Sequence, residues 1–498
     1  LPIFGLAVRP RGRLALASLL LALALLLYLQ GNVLVRDYGR FDGGAIDWSR
    51  HHGAGTLDAI AWLVLPVAAV AARRRLGRHL PVLAVVIVLL HGAALAGHVL
   101  QGRTFRPAPA AGIDAGFAEF SRERNALVMV LDAFAGPAFE QILAGEPAWR
   151  TRLDGFTWYR DALAAYPTTL PSVPAMLSGQ TTDNGRPVRE FMRDSLSRAS
   201  LPVVLQDRGI ATTTITEPVY GEYLAAVPFA GTVSFLDATP GDRRLRDALV
   251  VWNVALLRCL PHQLKERVHD GGRWLLRADA AAPGKPQLPY ATDAPHCAPS
   301  PNQHASRILQ EYLVGKASAT SRRPTFKFLH LFTSHMPYFL DADGRQLTQE
   351  RLEQLTESGA VVPQSVSALE QAMAIIERLE TLGVLDETLV ILAGDHGSHV
   401  EMIPGAQEAA HAAGRPSPSL VLPLLLVKPI GATGELAVSE APVSVTDLAA
   451  TVADALDVDF PFPGRPLHEV AATERRSRIY RDYTWRQELM APRTALRT

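Results

Sequence analysis

The run Leu389-Val390-Ile391-Leu392-Ala393, closed by Gly394-Asp395-His396-Gly397-Ser398, constrains the fold of this chain more than any other segment. A short, wholly apolar run ending in glycine reads as a buried strand. Strands buried on both faces belong to mostly parallel sheets covered by helices. An acid beside an imidazole just past such a strand suits a divalent metal, and oxygen and nitrogen donors suit zinc or manganese. The flanking glycines let the backbone come close to whatever is bound. The same triplet also occurs in ordinary loops, so the rest of the chain decides its meaning.

Residues 126–131, 210–216, 325–332 and 422–427 are further strand-like runs, and 364–382 and 444–456 carry helical periodicity. This alternation predicts an α/β fold, a mostly parallel central sheet flanked by helices. In such sheets functional groups gather beyond the C-terminal strand ends. Asp132 directly follows the run 126–131; it suits the same metal as Asp395 and His396, or the N-cap of a following helix. In Tyr166-Pro167-Thr168-Thr169-Leu170-Pro171-Ser172, Pro171 fits a first helical turn, with Gly179 as the stop. Thr169 then lies at or just before a helix N-terminus, where an anion is favoured. Its hydroxyl is either a nucleophile beside a metal or simply a cap. His330 and His335 fall at a strand end and the turn after it, in Leu329-His330-Leu331-Phe332-Thr333-Ser334-His335-Met336-Pro337-Tyr338. They suit a second metal, phosphate orientation or protonation of a leaving group.

Hydrophobic residues make up 48% of the chain, and the surplus lies at the front. Stretches at 14–35, about 55–72 and 80–100 are expected to be membrane helices, the second carrying Pro66 and Asp58. Seven basic residues (Arg9, Arg11, Arg13, Arg73, Arg74, Arg75, Arg78) lie on the two inner segments against three (Arg36, Arg40, Arg50) on the loop between. The positive-inside rule then puts everything after residue 100 outside the cytoplasm. A cleaved signal peptide is the alternative for residues 9–30, but no small-residue cleavage site follows Leu29-Gln30-Gly31-Asn32. The expected organisation is a transmembrane region over 1–100, a linker over 101–123, a catalytic domain over 124–470 and a tail over 471–498. Residues 281–301, with six prolines, read as a loop, and 245–278 as an amphipathic segment facing a core or a membrane surface. Cys259 and Cys297 either pair or remain separate thiols. Lys plus Arg (49) equals Asp plus Glu (49), so no global charge points to nucleic acid.

The order Asp132, Thr169-x-Pro171-Ser172, His330-x4-His335-x-Pro337-Tyr338 and Asp395-His396-Gly397 resembles the sulfatase-like branch of the alkaline phosphatase superfamily. Val445-Thr446-Asp447-Leu448 resembles its late strand-to-helix segment, and the likeness spans roughly residues 124–465. Within that branch the chain looks like membrane-anchored phosphoethanolamine transferases and lipoteichoic acid synthases. The resemblance implies a metal held by Asp132, Thr169, Asp395 and His396, with Thr169 the nucleophile that takes up a phosphoryl headgroup. It implies that His335 contacts substrate or a second metal, with His330 beside it, and that His411 is a further ligand of a second ion. Sulfatases proper carry Cys or Ser followed by Pro-Ser-Arg; Thr169, and Val173 in place of that Arg, disfavour sulfate ester hydrolysis. The expected activity is transfer of a phospholipid-derived headgroup, phosphoethanolamine or phosphoglycerol, to a cell-envelope glycan or lipid, using one or two zinc or manganese ions at the periplasmic or extracellular side of the cell membrane. The alternatives are a phosphate or sulfate ester hydrolase on the same scaffold, and an envelope-assembly protein with a decayed site.

Overall fold

A computed structural model of the chain describes residues 10–36, 38, 46, 48–100, 115–183, 187–221, 223–224, 227, 229–230, 240–270, 274–276 and 301–481. The chain divides into two compact units, residues 1–110 with 238–298 and residues 111–237 with 299–498.

The first unit is helical. Its longer helices are α1 (Pro10–Asn32), α2 (His52–Ala71), α3 (Leu80–Leu100), α4 (Pro240–Cys259) and α5 (His262–His269). Among the described residues one helix, over Gly12–Asn32, is long and apolar enough to cross a membrane. Shorter apolar helical stretches lie over Gly55–Ala71 and Leu80–Leu89. The expected three-span topology and its orientation therefore lack that support; Asp58 lies within the second run. Asp58 is itself buried and satisfied: Arg36 donates to Oδ1 at 2.7 Å, and Gln30 to Oδ2 at 3.0 Å. The segment expected to be amphipathic forms α4 and α5 in this unit, and α4 leaves Val250, Val251, Trp252 and Val254 exposed. Arg258 ties α4 to the end of α1 by donating to Gly31 O at 2.6 Å. Cys259 is a free thiol; Cys297, and the question of its pairing, lies outside the described residues.

The second unit carries an eight-stranded sheet. Its strands are β1 (Asn125–Leu131), β2 (Thr157–Tyr159), β3 (Ala211–Ile215), β4 (Phe229–Ala230), β5 (Thr325–Leu331), β6 (Thr388–Ala393), β7 (Leu425–Lys428) and β8 (Ala437–Ser439). They lie in the order β8-β2-β7-β6-β1-β5-β3-β4. All neighbours are parallel except β7, which runs antiparallel to both β2 and β6. The sheet is therefore mixed but mostly parallel, as the alternating sequence pattern requires. The run expected at 422–427 starts late because Pro423 has no N–H for a ladder. The helices of this unit include α6 (Gly136–Gly145), α7 (Thr169–Ser178), α8 (Pro301–Lys316), α9 (Glu357–Thr381), α10 (Ala406–Ala412) and α11 (Leu448–Ala455).

Two hydrophobic cores form because side chains alternate across each strand. Ala126, Val128 and Val130 of β1 and Phe326 and Phe328 of β5 face one core with α7 and α11. Leu127, Met129 and Leu131 of β1 and Leu329 and Leu331 of β5 face the other, with α6 and α9. Asp447, in the segment likened to a late strand-to-helix turn, is wholly buried and holds a frame together. Its carboxylate accepts from Ser444 N, Arg465 N and both terminal nitrogens of Arg476, the last two at 2.6 Å. A paired and fully hydrogen-bonded buried carboxylate is a structural device, not a metal ligand.

Lys327 breaks the apolar alternation of β5. Its side chain is buried on the second core's face, donates to Phe117 O and lies 4.8 Å over the Phe120 ring. Burial pushes its pKa down to about 7, and Glu119 only partly offsets this. The unfolded chain keeps its proton up to the ordinary 10.5, so between those values it binds more protons than the native state. Stability contributed at this site therefore rises with pH across that window. The stability of wild type minus that of Lys327→Met should increase from pH 7 to pH 10 by on the order of 2–4 kcal/mol, at about 1.4 kcal/mol per pKa unit. Urea titrations at several pH values check this; a difference that stays flat with pH refutes it.

Candidate active site

Strands β6, β1, β5 and β3 are adjacent and parallel, so their C-terminal ends share one edge. Register sharpens this: Leu131 sits opposite Leu331, and Val130 lies between Ala393 and His330. The residues that follow are Asp132 after β1, His335 after β5, Asp395 and His396 after β6, and Thr216 and Glu217 after β3. No helix intervenes, and each polar side chain is delivered by the end of a buried strand.

Asp132, Asp395 and His396 are buried, and each offers a ligand atom within 4.8 Å of the others. Ala133 N–H donates to Asp395 Oδ1 at 3.0 Å, which leaves Oδ2 without a hydrogen-bond partner. Asp132 Oδ1 is likewise unpartnered. Ala133 makes its bond from a left-handed backbone, φ 57°, a conformation that strains a residue with a Cβ and recurs at functional sites. His396 Nδ1 lies 2.6 Å from Gly397 O. A carbonyl only accepts, so Nδ1 carries the proton and Nε2 presents its lone pair. Two carboxylate oxygens and one imidazole nitrogen, buried and otherwise unsatisfied, form a donor set that fits a divalent cation. Gly394 and Gly397 both lie against neighbouring backbone. A Cβ at Gly394 would meet Phe134 O at 2.5 Å, and one at Gly397 would meet Ser419 O at 2.0 Å. They let neighbouring backbone come close.

Thr169 is the first residue of α7, and the N-cap is Thr168. The Thr169 hydroxyl is therefore not spent on capping; it donates to Asp132 Oδ2 at 3.3 Å. Pro174, inside α7, has no N–H for the carbonyl of Leu170 four residues back. The Tyr220 hydroxyl reaches that carbonyl at 3.4 Å and the Thr169 carbonyl at 3.0 Å, pinning the start of the helix. Burial raises the Tyr220 pKa well above its ordinary value, with Glu217 adding to it, so the hydroxyl stays a donor.

His330 Nδ1 lies 3.1 Å from Thr216 Oγ1, and Nε2 lies 3.0 Å from Asp132 Oδ2. The second contact is a charge contact off the hydrogen-bonding direction. Burial opposes a charged His330, but Asp132 outweighs it and the pKa rises. Burial would also raise the Asp132 carboxyl; His335, His330 and His396 outweigh it and hold that carboxyl well below the usual range. His335 is half exposed, with Nε2 3.9 Å from Asp132 Oδ1. Its Nδ1 proton is committed to Met336 O at 2.5 Å, so Nε2 faces the site. Gln303 and Gln364 both donate to His335 O, at 2.5 and 2.8 Å, and hold the turn.

The structure thus gathers Asp132, Thr169, His330, His335, Asp395 and His396. His411 is exposed on α10 and lies outside the cluster of Asp132, Asp395 and His396. His399 is the nearer imidazole, its ring 5.5 Å from that of His396 and its pKa pushed down by burial, then His396 and His335. Sequence reading passed over Ala133, Glu217, Tyr220, the two glutamines and His399. Glu217 carried the signal that singled out Asp132, an acid just beyond a β-branched run.

A family model described as Sulfatase matches residues 147–458. The chain belongs to the sulfatase family. It is an enzyme of that sulfatase-like superfamily, whose members are metal-dependent, and it carries the Asp–His cluster such a metal needs. No curated protein sequence matches it. Among solved structures it is similar to the lipoteichoic acid synthase LtaP from Listeria monocytogenes, at 13% identity and TM-score 0.42 over 75% of this chain and 81% of that one. It is similar to the soluble domain of lipooligosaccharide phosphoethanolamine transferase A from Neisseria meningitidis, at 13% identity and TM-score 0.41 over 72% and 94%. An alkaline phosphatase superfamily protein from Vibrio parahaemolyticus aligns at 13% identity and TM-score 0.44 over 71% of each chain. At these scores the family assignment rests on the family model alone.

Chelation should lower the melting midpoint of the wild-type enzyme, and added zinc or manganese should restore it, because a ligand bound only by the native state stabilises by mass action. Asp395→Asn should bind less metal by elemental analysis and show neither shift. A chelator-insensitive wild type with no bound metal refutes the donor-set reading.

Proposed function

We propose that the chain is a membrane-associated, metal-dependent phosphotransferase. It moves a phospholipid-derived headgroup, phosphoethanolamine or phosphoglycerol, to a cell-envelope glycan or lipid through a phospho-threonine at Thr169. The observation that carries this reading is the Thr169 hydroxyl itself. It stands at the first position of α7, free of capping duty, and donates to Asp132. The apolar helix Gly12–Asn32 supports association with a membrane, where lipid donors reside.

Asp132, Asp395 and His396, with Thr169 as a fourth ligand, would hold the metal, zinc or manganese by donor type. When bound, it supplies charge neutralisation for the phosphate and a lowered pKa for the Thr169 hydroxyl. Thr169 Oγ1 attacks phosphorus; the Oγ1–P bond forms as the P–O bond to the lipid alcohol breaks. The proton lost by Thr169 ends on that departing alcohol, and His335, the half-exposed imidazole with Nε2 open, is placed to deliver it. Backbone N–H groups at the start of α7 face the charge that develops on the phosphoryl oxygens. An acceptor hydroxyl then attacks the phospho-threonine, and Thr169 regains its proton. His330, locked between Thr216 and Asp132, orients the carboxylate rather than moving protons.

Hydrolysis is the second reading, because Thr169 and His335 are both half exposed and water can reach the same phosphorus. Steady turnover of phosphodiester, phosphomonoester or sulfate ester substrates without any acceptor favours it. For the transferase, intact mass spectrometry after incubation with donor lipid should show a headgroup-phosphoryl adduct on wild type only. Thr169→Ala should lose turnover by about 10³-fold or more, while keeping most of its metal. An adduct that persists in Thr169→Ala overturns the nucleophile assignment.

A further inference from the structure

The segment after residue 470 takes no part in the reaction above, yet its described part is bound to the scaffold of Thr169 at three successive points. A chain terminus is ordinarily poorly ordered unless something ties it down. Here arginines do so. Arg476 donates to both carboxylate oxygens of Asp447 at 2.6 Å, in the turn that leads into α11. Arg478 donates to Asp161 O at 2.5 Å, to Val443 O at 3.1 Å and to both Asp161 carboxylate oxygens at 3.0 Å. One planar guanidinium therefore staples the start of the parallel pair formed by Ala162–Leu163 and Val443–Ser444. Arg481 donates its backbone N–H to Ala165 O at 2.9 Å, just before the chain enters α7. Its Nε donates to Thr181 Oγ1 at 3.4 Å, just after the chain leaves α7.

The short run from Ala162 to Thr168 decides where α7, and so Thr169, begins. Ala164 donates its N–H to Val421 O at 2.9 Å, and the neighbouring Leu420 O accepts from Gly397 N at 2.9 Å. The loop that bears His396 and the run into α7 thus share one support. The next carbonyl of the run, Ala165 O, goes to the tail. Tyr166 then locks the two ends of α7 together: its carbonyl accepts from Ser172 Oγ at 3.4 Å, and its hydroxyl donates to Thr182 O at 2.8 Å. A shift of this run moves Thr169 Oγ1 against Asp132 Oδ2, a contact already long at 3.3 Å. Misplacing a reacting group by about 1 Å costs on the order of 100-fold in rate.

We infer that Glu474–Arg481 is a strap that positions Thr169, with Arg478 and the Arg481 N–H as its working ties. The strap touches neither substrate nor metal; it acts through the run Ala162–Thr168. Its effect on turnover rests on the phosphotransferase reading, whereas its hold on the start of α7 does not.

The test uses the full chain in detergent with donor lipid and reads adduct formation on Thr169 by intact mass. Arg478→Ala is preferred to Arg476→Ala, because Asp161 is partly exposed whereas Asp447 is wholly buried and would be left without that partner. Arg481→Pro deletes the N–H that Ala165 O accepts. Arg478→Ala and Arg481→Pro should each lower the maximal rate by roughly 10–100-fold, with bound metal and the donor concentration at half-maximal rate unchanged. Arg481→Ala, which keeps the N–H, should lose less, and Arg478→Lys should recover part of the loss. Peptide-level hydrogen exchange should quicken over residues 165–172 in the two slow variants and stay at wild-type values in β1 and β6. Wild-type rates and wild-type exchange in both variants overturn the inference. So does a fall in bound metal, or exchange that quickens across the sheet as well, since the tail would then only stabilise the unit. If wild type forms no adduct, the transfer reading falls and exchange alone decides: loosening confined to residues 165–172 sustains the strap, and its absence overturns it.

Discussion

Two buried carboxylates, Asp132 and Asp395, aim unpartnered oxygens into the same small space, and everything around them answers that repulsion. Like charges in a water-poor pocket stay ionised only when cations face them. His330 and His335 supply part of the answer to Asp132, and the Ala133 N–H supplies part of it to Asp395. The remaining lone pairs, together with His396 Nε2, form a donor set that a divalent ion would satisfy. The arrangement exists because β6 and β1 are parallel neighbours in register, so that the residues just past Ala393 and Leu131 emerge side by side. Reversing either strand would carry one carboxylate to the far edge of the sheet.

Thr169, the proposed nucleophile, comes from a different kind of element, and its placement depends on proline chemistry. Pro174 denies the carbonyl of Leu170 its usual partner, and Tyr220, buried, closes the gap from the loop after β3. One hydroxyl thereby couples the third strand end to the helix start. The same loop carries Glu217. Rigid strands deliver the charged groups, and a tyrosine clamp rather than a cap positions the alcohol.

Much of this was legible in the chain before any coordinates. Leu389–Ala393 and Ala126–Leu131 read as buried strands because their apolar runs are unbroken, and β6 and β1 occupy nearly those bounds. The mostly parallel sheet followed from their alternation with helical periodicity. The three-residue strands at Thr157–Tyr159 and Ala437–Ser439 were not legible, since so short a run has no period to detect. The antiparallel course of β7 was hidden too, because local sequence does not encode strand direction. At the site, an acid past a strand pointed to Asp132 and Asp395, but spacing alone could not say which imidazole lies near. His411, fifteen residues beyond His396, ends on an exposed face of α10, whereas His399, three beyond, packs its ring on His396. Distance along the chain is a poor guide where a loop doubles back on itself.

The glycines of Gly394-Asp395-His396-Gly397 make the same point in the other direction. Read alone, they leave room for a ligand; in the fold they leave room for Phe134 O and Ser419 O. That packing is what brings the loop bearing Ala133 against the loop bearing Asp395, and so permits the Ala133 N–H to reach Asp395 Oδ1. Ala133 accepts a left-handed backbone to make that bond, a cost of roughly 1 kcal/mol for a residue with a Cβ. The strain is spent orienting a carboxylate rather than stabilising the sheet. A motif that looks like a binding loop is thus a joint between two strand ends, and its binding capacity is a consequence of the joint.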